Sequence, residues 1–461
     1  MEKTKKTNLS NNKANAKPKN SKKLGLPLLL NLLLFGFMGQ VAWAVENNFF
    51  NTYLFNVVGG NANDIANMVA ASSVTAVLTT LFMGSLSDKL NKRKIFICSG
   101  YIVWGFTVMS FAFINPEIMS KIMGTSAKAA IPATITVVII MDCIMTFMGS
   151  TSNDAAFNAW VTDVTDTSNR TKTETILAIL PVAAMVIVTA AFGALSGKFG
   201  YAPCFIGLGL LVTACGVIGL FSIKDSRNGV KTSANFFECL IYGFRPSVIK
   251  NNKSLYLSLA SMGVFSIASQ VFFPYLFIYV GNYIDMGTLK TTPIYQIIIA
   301  AVALVAIIAL FVFLYVSIDK FGKAKIAFPC SLLFVIGLSL VYFAGKNIVW
   351  FAVTALLGLA GYGLLMILLG AAVRDFTPED KAGQLQGIRM IFSVLLPMVI
   401  GPRISAYIIE KVAVGTYTNE YGAATTIPAP HIYLAAAAIA VLIFIPLFFL
   451  YKEWKKAENK N

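Results

Sequence analysis

Charge is what this sequence has least of. Of its 461 residues only 13% are Asp, Glu, Lys or Arg, while 57% are hydrophobic. A soluble domain carries about 25% charged residues. No globular interior could hide this much apolar sequence, so lipid must be the solvent for most of the surface. Histidine is almost missing: His431 stands alone, which argues against a His-based metal site. The six cysteines, Cys98, Cys143, Cys204, Cys215, Cys239 and Cys330, form no C-x-x-C pair and fall mostly inside apolar runs. They read as small buried hydrophobes, not as disulfides or metal ligands. The chain has no P-loop, no G-x-S-x-G elbow and no H-E-x-x-H motif. Without them an ATP-driven pump is not expected, and energy should come from an ion gradient.

What is present is a series of apolar runs. The length suits about twelve helices of ~20 to 25 residues joined by short loops. The spans are expected at 26–57, 64–86, 95–114, 131–158, 175–196, 202–222, 255–281, 293–317, 325–344, 348–371, 386–408 and 431–450. Spans 1 and 4 exceed a minimal crossing, which tilt accommodates. Residues 1–23 are rich in Lys and Asn and read as a disordered basic tail. The apolar run that follows mimics a signal peptide as far as Ala42-Trp43-Ala44. Its length, its long polar leader and the further spans argue against cleavage.

Basic residues set the expected orientation. The net charge of +16 is not spread evenly, and this placement matters more than any attraction for nucleic acid. With both termini cytoplasmic, 30 of the 37 Lys and Arg fall in cytoplasmic segments and 6 in external loops. That is the positive-inside pattern, and it favours an even number of spans. The resulting layout is a tail at 1–23, a six-helix half at 24–222, a cytoplasmic linker at 223–254, a second half at 255–450 and a tail at 451–461.

The halves carry matching loops. Gly84, Asp88, Lys89, Lys92, Arg93 and Lys94 lie between spans 2 and 3. Asp319, Lys320, Lys323 and Lys325 lie between spans 8 and 9. Asp163 and Asp166 follow span 4, with Arg170 close behind, and Asp375 follows span 10. Equivalent loops in each half indicate an internal duplication, as in carriers built from parallel six-helix repeats. The G-x-x-x-D-K-x-x-[KR]-[RK] loop resembles the signature between helices 2 and 3 of the major facilitator superfamily. That resemblance implies an all-α fold of about twelve transmembrane helices in two pseudo-symmetric halves. It also implies gating roles for Gly84, Asp88, Arg93, Asp163, Asp166, Arg170, Asp319, Lys320 and Asp375, and a monomer. The cations could equally be topology signals alone.

A narrower resemblance lies in span 4. Asn153-Asp154-Ala155-Ala156-Phe157-Asn158-Ala159-Trp160, continuing to Asp166 and Arg170, looks like the helix 4 signature of the glycoside-pentoside-hexuronide:cation symporters. Gly39 to Asn47 is similar to the sucrose:proton branch of that family. The resemblance implies a sugar-binding role for Asp154. The chain departs from the melibiose permeases in span 2. Where they place two cation-binding aspartates, it has Ser72, Ser73, Thr75, Thr79 and Thr80. Span 5 also lacks their arginine, and Asn158 replaces an aromatic residue. The coupling ion is therefore expected to be H+ rather than Na+, with no cofactor and no metal.

Span 4 makes its own argument. Asp142, Thr146, Gly149, Ser150, Asn153, Asp154 and Phe157 recur at steps of three and four and so share one helix face. A polar stripe in a membrane helix should face water or a partner. Asp142 and Asp154 are expected about 18 Å apart along the axis, too far to share one proton. They could bind solute and proton, or be structural carboxylates bonded to neighbours. Gln40, Trp43, Glu46 and Asn47 on span 1 supply amides, a carboxylate and an indole. This set suits hydroxylated solutes, although Glu46 and Asn47 could instead face external water. In the second half Gln270 and Tyr275 are the candidates, with Tyr279 beside them. The two tyrosines could also be interface anchors. Arg403 is expected to pair with Glu46 or Asp142, or to snorkel outward.

These readings converge on a sugar symporter of the plasma membrane, coupled through Asp154, Asp142 or Glu46. Burial disfavours the charge of a carboxyl group, which suits it to carry a proton. An exporter of another solute is the alternative. A non-transporting sensor is an alternative of another class, and an enzyme is not expected.

Overall fold

The computed structural model describes residues 25–90, 92–165, 170–225, 241–285, 287, 323–378 and 381–458. Among them, 11 helices are long and apolar enough to cross a membrane. We label them α1 (Leu26–Val58), α2 (Ala62–Leu90), α3 (Lys94–Phe113), α4 (Ala127–Val164), α5 (Arg170–Phe199), α6 (Tyr201–Ser222) and α7 (Lys253–Asn282). After these come α8 (Lys323–Phe343), α9 (Ile348–Asp375), α10 (Gln384–Lys411) and α11 (His431–Lys455). The expected span 293–317 lies outside the described residues, so α8 to α11 are spans 9 to 12. Cys239 also lies outside them, and the other five thiols are free.

Local sequence sets the helix ends. Pro27 sits in the first turn of α1, where its missing N–H leaves nothing unsatisfied. α1 stops at Gly59, whose φ of 92° suits a residue without Cβ. The amides of Gly59 and Gly60 both return to the Leu54 carbonyl. At α4 the Ser126 side chain caps the free Ala129 amide.

The helices alternate in direction between two ends. The near end gathers the start of α1, the α2–α3 turn, the end of α4 and the start of the linker. The far end gathers the end of α1, the start of α2, the ends of α7 and α10, and a hairpin of β1 (Thr416–Thr418) and β2 (Ala424–Thr426). Large apolar side chains cover the outside, among them Phe106, Leu211, Phe221 and Phe343. In water such exposure would be costly, whereas in hydrocarbon it is what a spanning helix presents.

Inside, aromatic rings pack the first half toward the far end. Phe50 lies 4.2 Å from Phe111 and 5.1 Å from Phe205, centroid to centroid. In the second half α8 and α9 approach through glycine. A Cβ on Gly337 would lie 2.3 Å from the Gly358 Cα, and one on Gly361 would lie 2.4 Å from the Phe334 nitrogen. Gly337, Gly358 and Gly361 therefore serve close packing of these two helices. The halves meet along α2 and α10.

Three long helices contain π-helical turns. α1 contains π-helical turns at Glu46–Phe50 and Leu54–Val58, α4 at Ser150–Phe157 and α10 at Ile391–Leu395. Such turns are rare and recur at functional sites. Two of them contain Glu46 and Asp154.

Candidate functional site

α1 crosses α4 closely because glycines face the contact. A Cβ on Gly39 would fall 2.0 Å from the Asn153 Nδ2, and one on Gly149 would fall 3.0 Å from Trp43. The crossing brings together side chains that are a hundred residues apart in sequence. Glu46 Oε1 accepts a hydrogen bond from the Thr146 hydroxyl at 2.9 Å. Glu46 is 7% exposed and Asp142, one turn before Thr146, is 2% exposed. The Ser72 hydroxyl of α2 lies against Asp142. Asp154 Oδ2 accepts from the Ser150 hydroxyl at 3.0 Å. The Trp43 indole N–H lies near Asp154 without a hydrogen bond of normal geometry. Trp43 also packs on Trp104 of α3, with ring centroids 5.1 Å apart.

Asp142 and Asp154 both act electrostatically on Glu46. Among the described residues the ion pairs include Arg93–Asp88, Arg93–Asp163 and Lys121–Glu117. None of the three membrane carboxyls has a cationic partner there. A carboxylate buried at membrane depth without one costs several kcal/mol. A proton, a bound cation or a hydrogen-bonding solute removes that cost. Glu46 Oε2, Asp142 Oδ1 and Trp43 Nε1 are buried without hydrogen-bond partners, so two acceptors and one donor remain unsatisfied.

The π-helical stretch changes the polar stripe expected on α4. The stripe assumed 100° per residue, and a π turn holds more residues than an α turn. Asn153 is rotated into the bundle, 3% exposed, and its Nδ2 donates to the Tyr101 hydroxyl at 2.8 Å. That hydroxyl donates in turn to the Phe35 carbonyl at 2.7 Å. Asn153 thus ties α4 to α3 and α1. Asp154 stays half-buried, and Asn158 is exposed with its Nδ2 bonded to the Asp154 carbonyl at 3.0 Å. On α1, Gln40 and Trp43 are half-buried. Asn47 is exposed and donates to the Trp43 carbonyl at 2.8 Å.

The second-half candidates sit elsewhere. Tyr275 was expected to meet solute, yet it is fully buried at the far end. Its hydroxyl contacts the Ala62 carbonyl at 2.8 Å and the Pro402 carbonyl at 3.0 Å. It joins the start of α2 to α10, and its hydrogen-bonding capacity is used on backbone. Tyr279 is also fully buried, against Tyr283 and Tyr433, so it is no interface anchor. Gln270 packs at the α7–α10 contact, where a Cβ on Gly401 would fall 2.6 Å from its own Cβ. Arg403 reaches neither Glu46 nor Asp142. It donates to the Asn67 Oδ1 at 2.9 Å, because α10 faces α2 at this level.

At the near end Arg93 is 4% exposed and gathers three partners. It bonds Asp88 through Nη2, Asp163 through Nε at 3.0 Å and Ser87 through Nη1 at 2.6 Å. Burial alone would lower its pKa, but the bonds to Asp163 and Asp88 outweigh this and raise it. Asp225 Oδ1 accepts from the Arg93 and Lys94 amides, each at 2.8 Å, at the start of α3. Sequence reading missed Asp225, since one acidic residue opening a polar linker carries no pattern. Tyr101 and Trp104 were missed because aromatics in an apolar span look like ordinary packing. Gly84 faces Ala155, and a Cβ there would only touch it at 4.0 Å. Asp375 closes α9. Arg170 begins α5, while Asp166, Asp319 and Lys320 lie outside the described residues.

The sequence profile of the Major Facilitator Superfamily matches residues 32–402 and 288–461. No curated protein matches the sequence. Among solved structures, the nucleoside transporter NupG has a TM-score of 0.65 at 13% identity, covering 92% of this chain and 98% of that one. A bacterial homologue of the human lysosomal transporter Spinster, in an inward-facing and unoccupied conformation, has a TM-score of 0.62 at 12% identity, covering 94% and 99%. A mutant of the peptide transporter POT in complex with alafosfalin has a TM-score of 0.64 at 12% identity, covering 93% and 94%. At these identities the likeness speaks for the fold alone.

Proposed function

The chain belongs to the major facilitator superfamily, and from that premise we propose that it is a proton-coupled sugar symporter working by alternating access. It is a multi-pass membrane transporter of a small solute and not an enzyme. The observation that carries the finer reading is the α1–α4 crossing. Three carboxyls and an indole line it, with unsatisfied polar atoms on Glu46, Asp142 and Trp43 and no cationic partner among the described residues. Carboxylates accept from sugar hydroxyls, amides both donate and accept, and an indole face covers the C–H side of a sugar ring. Gln40, Trp43, Asn47, Asp154 and Asn158 would form the first-half wall. Glu46 and Asp142 would take the proton.

H+ is favoured over Na+ because α2 offers hydroxyls where a pair of aspartates would hold a cation. The basic-residue pattern supports cytoplasmic termini in a plasma membrane. A second reading has its own support. The half-buried Trp43 ring beside Asp154 also suits an organic cation, through a ring face and a carboxylate together.

The test is uptake into proteoliposomes under an imposed pH gradient, with and without sodium. The panel holds labelled mono- and disaccharides and one aromatic amine. Sugar accumulation that a protonophore collapses is the expected outcome. Exchange of the amine for protons would replace the sugar assignment. Accumulation only with sodium would overturn the coupling assignment.

A further inference from the structure

The far end carries a device that the solute site does not use. α1 finishes in a π turn and a left-handed Gly59, which leaves its last carbonyls without helical partners. The other half supplies them. The Asn419 Nδ2 donates to the Val57 carbonyl at 3.0 Å, and the Tyr417 hydroxyl reaches the Asn56 carbonyl at 3.3 Å. Both residues belong to the β1–β2 hairpin between α10 and α11. The Tyr417 ring stacks on Phe55 of α1 with centroids 5.9 Å apart.

Asn419 holds both the hairpin and the contact. It is 6% exposed, and its Oδ1 accepts from the Tyr421 amide at 3.1 Å and the Ala423 amide at 2.9 Å. One carboxamide thus shapes the turn with its oxygen and grips α1 with its nitrogen. The turn rests on Gly59, where a Cβ would fall 2.7 Å from the Asn419 Nδ2 and 2.8 Å from the Ala423 Cβ. Around it lie other bonds between the halves: Asn282 to Asn56, Asn63 to Glu410, Arg403 to Asn67 and Tyr275 to Ala62.

We propose that the Thr416–Thr426 hairpin is a latch that holds the two halves closed at the far end, with Asn419 as its clasp. The chemistry favours reversible use. The gripped groups are terminal carbonyls at the end of a helix, which water can satisfy as well once the hairpin lifts. No charge is stranded when they part. Access to the solute site from this side requires the latch to release.

The test needs no transported solute. In purified protein reconstituted in nanodiscs, where both ends meet the reagent, Ala62→Cys reports on the closed far end, since Ala62 is 5% exposed beneath it. Reaction with a membrane-impermeant maleimide is followed by peptide mass. Native Cys98, fully buried near the other end, is the control for general loosening. Asn419→Ala removes the one side-chain bond to α1 and the two that shape the turn, and should speed labelling at position 62 about tenfold. Cys98 should remain slow, and Glu420→Ala at the exposed tip should change nothing. A second arm bridges Phe55→Cys and Tyr417→Cys with a reducible bifunctional thiol reagent. Bridging should hold position 62 at its slow rate even with Asn419→Ala present, and reduction should restore the fast rate. Unchanged labelling in Asn419→Ala, equal acceleration at Cys98, or fast labelling in the bridged protein would each overturn the proposal.

Discussion

Glu46, Asp142 and Asp154 differ in their surroundings, and that difference sorts their expected behaviour. Glu46 and Asp142 are buried, with one oxygen each unsatisfied. Asp154 is half-buried and bonded to Ser150. Asp142→Asn and Glu46→Gln should therefore abolish uphill uptake and leave downhill exchange. Asp154→Asn should weaken solute binding in both modes. The measurement is uptake with and without a pH gradient for each variant, and uphill uptake by all three would dismiss the coupling site. Asn153 makes the opposite case. Its amide ties three helices through Tyr101. Asn153→Ala should lower stability by about 1 to 2 kcal/mol, read as an earlier thermal transition in detergent, with binding largely kept. Nothing in its sequence context separates it from Asp154. They are neighbours in one polar run, and the helical step from one residue to the next turns one to Tyr101 and the other to Ser150.

At the scale of an element, the α1–α4 crossing depends on Gly39. A methyl group there has no room beside the Asn153 amide, so Gly39→Ala should cost roughly 1 to 3 kcal/mol by overpacking. Because the tightest clash is with the Asn153 side chain, and the Tyr101 hydroxyl is the other at 2.8 Å, adding Asn153→Ala should recover part of the loss. Strictly additive losses in a double-mutant cycle would mean that the helix backbones, not this contact, set the spacing. The near-end loop makes a second case. Arg93 is shared by Asp88 and Asp163 and is nearly fully buried. Arg93→Ala leaves two carboxylates facing each other and should destabilise by roughly 3 kcal/mol, the lower end for a broken buried ion pair. Arg93→Lys should recover only part, because one ammonium cannot reproduce the three-way fork. Thermal unfolding of the two variants checks this.

At the scale of the whole molecule, the prediction concerns which end faces which compartment. If the basic loops are cytoplasmic, Glu420→Cys in the hairpin tip should react with an impermeant maleimide on intact cells. Lys452→Cys, near the end of the last helix, should react only after permeabilisation. The reverse pattern would turn the protein over and exchange the meanings of near and far end.

Much of the architecture was legible from composition because a bilayer imposes a simple rule. Every spanning segment must be apolar, about 20 residues long and internally hydrogen-bonded. Eleven such helices lie among the described residues, and the superfamily follows from the match over the chain. The loop carrying Asp88 and Arg93 was visible for a similar reason, since charges at a helix end are conspicuous against an apolar background. Where each polar side chain points was not legible. Tyr275 and Tyr279 read as solute or interface residues but are fully buried in contacts within the bundle. Arg403 was expected to pair with Glu46 or Asp142 or to snorkel outward, and it is exposed with its guanidinium on the Asn67 amide. Asn419 carried no signal, because a turn asparagine looks the same whether or not another helix lies under it. By itself, then, the sequence determined that the chain spans a membrane many times in two related halves. Those features depend on the local free energy of each segment in lipid. Only the tertiary structure decided which carboxyls share a site and which tyrosines join the halves. Those features depend on π turns that shift the helical phase and on glycines that set the distance between helices.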